Sequence, residues 1–393
     1  MSDPVVIAGH ARTPMGGFQG ALSGLTAPQL GAAAVQAAVA RAGVPALAVE
    51  QIIMGCVLPA GQGQAPARQA ALGAGLPLHV EATTVNKMCG SGMQAAILAH
   101  DALLAGSARV MVAGGMESMS NAPYLLMKHR GGARIGHDAV KDSMYLDGLE
   151  DAYDPGRLMG SFAEEAARDY QFTRAAQDDF AIASLERAQK AIASGAFAGE
   201  VVPVAVPTRG GEVLVETDEQ PGKARIDKIP SLKPAFARDG TITAANASSI
   251  SDGAAALVLA RQSVAEAEGW NARARIVAHA AHAHEPSRFT TAPVPAIRKV
   301  LDKAGWTVAD VDLFEVNEAF AAVAMIAMHD LKIPHEKLNI HGGACALGHP
   351  IGASGARILS TLIAALELTG GKRGVAALCI GGGEATAMAV ELI

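Results

Sequence analysis

The chain has few charged residues, few aromatic residues and few cysteines. Of its 393 residues, 18% are charged, 4% are aromatic and only four are cysteines. The formal charge is −6 and basic residues form no long run, which argues against a nucleic-acid-binding surface. Four cysteines in a chain of this length do not make a disulfide framework, so we expect a reducing, cytoplasmic environment.

Long apolar segments are absent as well. No uncharged stretch is long enough for a membrane-spanning helix. The N-terminal residues Met1–Pro4 carry no basic segment of the kind that opens a secretion signal, and residues Ala389–Ile393 match no lipidation signal. We therefore expect no association with a membrane.

The chain is instead rich in small and apolar residues arranged as alternating strands and helices. Half of its residues are hydrophobic and 43 are glycines. Before Met116 and after Asn246 the alternation predicts an α/β fold with a mostly parallel sheet covered on both faces. Between these points charges, prolines and aromatic residues concentrate, which indicates an inserted lid or loop subdomain. Within it we predict one helix that opens with a capping box at Ser161–Glu164 and a second helix from Thr173 to Ser194 that stops at Gly195. After the insertion we predict a helix over Glu318–Leu331. The predicted boundaries are 1–115 and 246–271 for the first half, 116–245 for the insertion and 272–393 for the second half.

One pattern occurs twice in the chain. Ser91-Gly92 opens a helical pattern that leads to an apolar strand and then to Gly114–Glu117. Ser354-Gly355 opens a second helical pattern that leads to another apolar strand and then to Gly381–Glu384. The same order at similar spacing predicts an internal duplication. Duplicated α/β units place equivalent loops side by side, where one active site can form.

A cysteine lies in a glycine- and serine-flanked turn within Val85–Met93. Cys89 directly precedes a helical pattern, and unpaired backbone N–H groups at a helix start stabilise a thiolate. The same residue could be a buried cysteine that acts as a small hydrophobe. This segment alone does not decide between a nucleophile and a core residue.

Three later residues share this setting at small-residue turns. Asn317 follows an apolar strand, where it could reach a ligand or cap the next helix. His349 lies among glycines, and Cys379 ends a strand just before Gly381–Gly383, although a core cysteine is also possible there. With Cys89 they would supply a nucleophile, a base and oxyanion donors.

The chain resembles the thiolases over essentially its whole length, and within them the acetyl-CoA acetyltransferase branch. The segments that match the four thiolase signature blocks, in order and spacing, are Asn86–Gly92, Asn317–Phe320, Gly348–Gly352 and Cys379–Gly383. Two further segments match, Ala11–Pro14 and Gly114–Ser120.

This resemblance implies a five-layered αβαβα thiolase fold built from two duplicated halves with an inserted loop. It implies a reversible Claisen condensation of two acyl-CoA molecules, without a permanently bound cofactor. The implied substrates are coenzyme A thioesters, namely acetyl-CoA, acetoacetyl-CoA or another 3-oxoacyl-CoA. Members of this branch also lead us to expect a homo-oligomer, with a tetramer (a dimer of dimers) favoured.

The resemblance also assigns catalytic roles. Cys89, deprotonated with help from His349, would carry the acyl group, and Cys379 would remove the α-proton of acetyl-CoA. His349 and a water held by Asn317 would stabilise the enolate oxygen. The backbone N–H groups of Cys89 and Gly381 would form the second oxyanion hole.

The family's coenzyme A site corresponds to residues of the insertion and its flanks. Ala247 and Ser248 would contact the pantetheine arm, and the implied channel walls are Leu149, Met159, Phe236, Ala244 and Phe320. The cations available for the phosphates are Lys223, Arg225 and Lys228, although they could equally be ordinary surface charges.

Three residues depart from the usual family pattern. Leu158 precedes Met159 where many relatives have histidine, Phe289 takes the place of a methionine, and His341 takes the place of an asparagine. The first two changes alter the acyl end of the pocket. We therefore expect short acyl chains beyond acetyl to be accepted, including a branched one.

Other functions compete with this interpretation. A degradative 3-ketoacyl-CoA thiolase of broader chain range uses the same residues. A ketoacyl synthase or a hydroxymethylglutaryl-CoA synthase would lack the second cysteine, Cys379. A cysteine hydrolase with a Cys89–His349 dyad would need neither Cys379 nor a coenzyme A channel.

Three histidines could suggest a metal site. His279 and His282 fall on an apolar strand pattern and His284 follows it, but strand alternation would point the first two to opposite faces. Acidic support nearby is limited to Glu285. We predict no metal site here.

Overall fold

The structure is a computed structural model that describes residues 3–393. Its strands are β1 (Val5–Arg12), β2 (Gly16–Gly17), β3 (Gln51–Gly55), β4 (Glu81–Val85), β5 (Val110–Ser118), β6 (Tyr124–Leu125), β7 (Lys141–Asp142), β8 (Val204–Thr208), β9 (Gly211–Val215), β10 (Ser251–Arg261), β11 (Ala274–Ala283), β12 (Leu313–Val316), β13 (Arg373–Ile380) and β14 (Glu384–Leu392). Its helices are α1 (Ala27–Ala42), α2 (Pro66–Gly73), α3 (Ser91–Ala105), α4 (Met159–Asp169), α5 (Arg174–Ser194), α6 (Glu219–Lys223), α7 (Gln262–Glu268), α8 (Pro293–Ala304), α9 (Ala321–Leu331), α10 (Ala344–Leu347) and α11 (Ser354–Thr369).

Ten strands form one hydrogen-bonded sheet. Nine of them follow the order β12-β13-β14-β11-β1-β10-β5-β3-β4, and β2 pairs with β10. Only the β3–β4, β3–β5 and β12–β13 pairings are parallel, so the expectation of a mostly parallel sheet is wrong. A tight turn joins β13 directly to β14, and such a short connection can only make an antiparallel pair.

The molecule is nevertheless built as five layers. β1 and β11 share only two residue pairs, so the sheet consists of two half-sheets joined at a narrow link. Helices α3 and α11 pack together between the half-sheets. Helices α1 and α2 cover the outer face of the first half-sheet, and α8 and α9 cover the outer face of the second. This arrangement is the αβαβα order that the family resemblance implies.

The segment between β5 and β10 is the one predicted to be an inserted subdomain. Helix α5 begins and ends as predicted, because the Thr173 hydroxyl accepts the Ala176 N–H at 3.1 Å and Gly195 adopts φ +73°. The predicted capping box at Ser161 is wrong, since α4 begins at Met159. Glu164 instead accepts backbone N–H groups of the 241–242 segment.

The buried Arg12 ties the first strand to the insertion. Its guanidinium donates to both carboxylate oxygens of Asp218, at 2.7 and 2.9 Å, and to Glu200 at 2.7 Å. All three side chains are essentially inaccessible to solvent. A buried charge of this kind is stable only when paired, so the three residues act as one structural unit.

Over residues 3–393, every helix is too short or too polar to cross a lipid bilayer.

Candidate active site

Loops from both halves and from the insertion enclose a mostly apolar cavity of about 340 Å³. Four of the five predicted catalytic residues line it, namely Cys89, His349, Cys379 and Gly381. All seven residues predicted for the coenzyme A channel line it as well, namely Leu149, Met159, Phe236, Ala244, Ala247, Ser248 and Phe320.

Cys89 reaches this cavity from a strained turn. The preceding Met88 has φ +48°, a left-handed conformation that side chains other than glycine rarely adopt. The Asn86 side chain accepts the Met88 N–H at 2.9 Å, and the Ser91 hydroxyl accepts the Lys87 N–H at 2.8 Å. These contacts offset the strain, which is typical of residues at functional sites.

The environment of Cys89 favours the neutral thiol. Burial raises the pKa of Cys89 to about 11, although N–H groups of Gly381 and of Cys89 itself lower it. Helix α3 begins two residues later, at Ser91. The expected stabilisation of the thiolate at a helix start is therefore outweighed by the loss of hydration. Cys89 needs a base at the moment of reaction.

His349 is held in the form that can act as this base. Its Nδ1 lies 2.5 Å from the Ser354 hydroxyl, and that hydroxyl donates its own hydrogen to the Pro350 carbonyl at 2.9 Å. In this arrangement the hydroxyl oxygen can accept the Nδ1 hydrogen, which leaves Nε2 free to take a proton. Burial and the charge of Arg357 lower the pKa of His349 to about 3, so the ring is neutral at pH 7.

Asn317 lies against His349 rather than capping a helix. Helix α9 begins at Ala321, not at Glu318 as predicted, because the Asn317 N–H still bonds to Ala377 on β13 and Phe320 is extended. The Asn317 side-chain nitrogen is 3.4 Å from Nε2 of His349, and its oxygen accepts from Arg357 at 3.3 Å. Asn317 does not line the cavity itself, but it contacts His349, which does line it.

Cys379 brings a second thiol to the same cavity. It is 1% exposed near the end of β13. Burial and the neighbouring Cys89 sulfur raise its pKa well above that of an ordinary thiol. The turn that follows uses Gly382 at φ +91° and Gly383 at φ +84°, and it directs the Gly381 N–H to the sulfur of Cys89.

Aromatic rings form one end of the cavity. The Phe320 ring contacts Phe236 edge-on at 5.9 Å between centroids and Phe289 at 6.3 Å. Leu158 also lines the cavity, so two of the three departures from the family pattern lie at the site. His341 lies elsewhere, with its ring against Phe197.

The candidate phosphate-binding cations lie outside the cavity lining and are already paired. Lys223 bonds to Glu219, and Arg225 and Lys228 both approach Asp227. Their role toward coenzyme A stays a prediction.

Of the three histidines considered as a metal site, His282 and His284 pack edge-on at 5.1 Å between ring centroids, and His279 has other partners. His279 is 3.0 Å from Asp101 and packs on His100, whereas His282 is 3.1 Å from the ammonium of Lys299.

Some residues at the site were not anticipated from the sequence. The sequence indicates Ser354 only as the start of a helix, because its spacing from His349 matches no motif that would predict a contact with the imidazole. Ser249 and Ile250 line the cavity directly after the predicted Ala247-Ser248, so a longer reading of that motif could have included them. Tyr145, Thr243, Ala319 and Ile351 also line it.

Comparison with known proteins agrees with this fold. Residues 5–263 match the model of the thiolase N-terminal domain, and residues 270–392 match that of the thiolase C-terminal domain. The chain is 49% identical to an acetyl-CoA acetyltransferase of Rhizobium meliloti over the full length of both, and 50% identical to acetyl-CoA acetyltransferase 2 of Arabidopsis thaliana, covering 99% of this chain and 97% of that protein. The crystal structure of the Bacillus anthracis acetyl-CoA acetyltransferase superimposes with a TM-score of 0.97 at 40% identity, over 100% of this chain and 99% of that one. Because these matches span both halves of the duplicated fold, the chain belongs to the thiolase family.

Proposed function

We propose that this chain is an acetyl-CoA C-acetyltransferase that catalyses the reversible Claisen condensation of two acyl-CoA molecules. The observation that carries the proposal is the convergence of two cysteine thiols and a neutral histidine on one apolar cavity. Relatives at 49% and 50% identity over the full chain support the same reaction.

The first half-reaction transfers an acyl group to Cys89. Nε2 of His349 takes the thiol proton as the sulfur attacks the thioester carbonyl. The N–H groups of Cys89 and Gly381 bind the resulting oxyanion, since the Gly381 N–H already points to the Cys89 sulfur. The carbon–sulfur bond to coenzyme A then breaks, and the departing thiolate takes a proton from Cys379. The products are acyl-Cys89, free coenzyme A, protonated His349 and the Cys379 thiolate.

The second half-reaction forms the carbon–carbon bond. The Cys379 thiolate removes an α-proton from acetyl-CoA, and protonated His349, with a water held by Asn317, stabilises the enolate oxygen. The enolate carbon attacks the acyl-Cys89 carbonyl and releases the Cys89 thiolate. His349 returns its proton to Cys89, so every group recovers its starting state. Thiolysis is the same sequence in reverse.

The cavity walls favour a thioester over the substrates of a hydrolase. The pantetheine arm is long and uncharged, and the lining is mainly apolar with Phe236 and Phe320 at one end. A cysteine hydrolase would have no use for the second buried thiol of Cys379. The same thiol argues against a ketoacyl synthase or a hydroxymethylglutaryl-CoA synthase.

The acyl pocket fits short chains. Phe289 and Leu158 give it an apolar wall, so we propose that acetyl and small branched acyl groups are accepted. The ratio of thiolysis rates for acetoacetyl-CoA and 2-methylacetoacetyl-CoA tests this range. Activity on acetoacetyl-CoA alone would reject it.

We further propose a cytoplasmic homotetramer. The segment around β6 and β7 exposes several large apolar side chains, which is unusual for a surface that faces only water. Light scattering of the purified protein should give about four times the 40.0 kDa chain mass. The exposed residues are Tyr124, Leu126, Met127, Ile135 and Val140.

The decisive experiment compares the two cysteines. Cys89→Ser should lose both acetoacetyl-CoA thiolysis and covalent acylation by acetyl-CoA. Cys379→Ser should still acylate Cys89 but form almost no carbon–carbon bond. Mass spectrometry of the protein measures acylation, and loss of the absorbance of the 3-oxoacyl thioester measures thiolysis.

Cys345→Ala is the matched control. Cys345 is also mostly buried, but its sulfur contacts the Glu318 carbonyl at 3.7 Å and does not line the cavity. This variant should keep its activity. Normal thiolysis by Cys89→Ser, or release of free acid instead of coenzyme A transfer, would overturn the proposal.

A further inference from the structure

A buried carboxylate that takes no part in the reaction above lies directly beneath the active-site loops. Glu117, on β5, is 0% exposed. Its Oε2 accepts the N–H of Val57 at 3.0 Å and the N–H of Gly352 at 2.9 Å, and its Oε1 accepts the N–H of Leu58 at 3.1 Å. One side chain therefore joins a loop of the first half to a loop of the second half.

The loop from the second half is the one that carries His349. Gly352 lies three residues after His349 and two residues before Ser354, which fixes the imidazole. Its backbone is pressed against the first half so closely that a Cβ on Gly115 would lie 2.0 Å from the Gly352 carbonyl oxygen. The glycine at position 115 is thus required for this approach, and the expected turn at Gly114–Glu117 is in fact part of strand β5.

These hydrogen bonds need both oxygens of the Glu117 carboxyl group as acceptors. Three backbone N–H groups point at its two oxygens, and a side-chain amide would replace one acceptor by a donor facing a donor. These N–H groups lower the pKa of Glu117, but burial prevails and raises it to about 7. The fold keeps a costly buried acid at this position rather than a neutral side chain.

We propose that Glu117 is a positioning residue of the thiolase reaction: its carboxylate sets the position of the His349 loop relative to the Cys89 turn across the boundary between the two halves. The inference rests on the proposed function for its kinetic consequence. Because Cys89 and His349 belong to different halves, no hydrogen bond within either half can fix the distance between sulfur and imidazole. Glu117 supplies one such link, and the Asn86 side chain donates to the Val57 carbonyl at 3.3 Å, which connects the same loop to the Cys89 turn.

The test compares Glu117→Gln with a control variant, Val35→Ala. Val35 is a buried residue of α1, and α1 covers the outer face of the first half-sheet. A displacement of the base by a fraction of an ångström to 1 Å should lower kcat for acetoacetyl-CoA thiolysis about 10- to 100-fold in Glu117→Gln, with KM changed by less than about twofold. The alkylation rate of Cys89 by iodoacetamide, which needs proton removal but no substrate site, should fall in parallel. Val35→Ala should lower the melting temperature without changing either rate at 25 °C.

Equal alkylation rates in wild type and Glu117→Gln would overturn the inference. A loss of kcat in Glu117→Gln no larger than the loss in Val35→Ala would overturn it as well. If the wild type shows no thiolysis at all, the proposed function fails, while the alkylation comparison still reports on Glu117. If Glu117→Gln does not fold, Glu117→Asp, which keeps the charge on a shorter side chain, is measured in the same two assays and should show the same parallel loss.

Discussion

Ser354→Ala tests the role of His349 as the base, because it removes one atom from behind the imidazole. In the folded protein the Ser354 oxygen lies 2.5 Å from Nδ1 of His349, where it can accept the Nδ1 hydrogen and leave Nε2 unprotonated. The alanine variant has no acceptor at this point, and the pair lies in a buried region. A buried donor that loses its partner costs about 1–3 kcal/mol.

The expected loss of kcat/KM depends on the step at which the missing hydrogen bond matters most. When His349 takes the Cys89 proton, both ring nitrogens carry hydrogens and the ring becomes positive, so the Nδ1 contact matters most in the transition state. A loss of 1–3 kcal/mol there lowers kcat/KM for acetoacetyl-CoA thiolysis by about 5- to 150-fold. The assay is the initial rate of thiolysis over a range of substrate concentrations, together with the alkylation rate of Cys89.

The same helix provides a matched control. Ser360, also on α11, makes an equivalent buried contact to Nδ1 of His10 at 2.7 Å, away from the cavity. Ser360→Ala should lose comparable stability and keep its kcat/KM. If Ser354→Ala and Ser360→Ala differ by less than twofold in kcat/KM, the assignment of His349 as an oriented base is refuted.

Three further outcomes are expected from the structure. Arg12→Met should lower the free energy of unfolding by about 3–5 kcal/mol, measured in urea, because two buried carboxylates lose their cation; a loss below about 1 kcal/mol would contradict this account. Burial lowers the pKa of His10 from 6.5 to about 3. As the pH falls below about 6.5, His10 therefore takes up a proton in the unfolded chain but stays neutral in the folded one. Wild type should therefore lose about 1.4 kcal/mol per pH unit relative to His10→Asn between pH 6.5 and 4.5, and parallel curves for the two proteins would contradict this. Phe289→Leu should raise kcat/KM for 3-oxohexanoyl-CoA relative to acetoacetyl-CoA by about tenfold, and an unchanged ratio would place the chain-length limit elsewhere.

Much of the site could be predicted from the sequence because the relevant residues lie in short, distinctive segments. Cys89 and His349 each lie next to a glycine, Cys379 is two residues before Gly381, and all three line the cavity. The ends of α5 were predicted for a similar reason, since Thr173 and Gly195 are local signals. Such signals depend on neighbouring residues only.

Other predictions failed because the deciding partner is remote in sequence. The predicted start of α9 is too early, since residues 319–321 pair with the 246–248 segment and the Asn317 N–H bonds to Ala377 on β13. The capping box at Ser161 failed because Glu164 bonds to residues 241–242 instead.

The sequence by itself determined the candidate residues that line the cavity and the repeated pattern of the two halves, because both are local patterns. Only the tertiary structure decided the direction of most strand pairings, the protonation state of the thiols and the orientation of His349. Burial raises the pKa of Cys89 and lowers that of His349, and burial is a property of the whole packed molecule. For the same reason no local pattern could show that Glu117 and Ser354, far apart in the chain, both act on the one loop that holds the base.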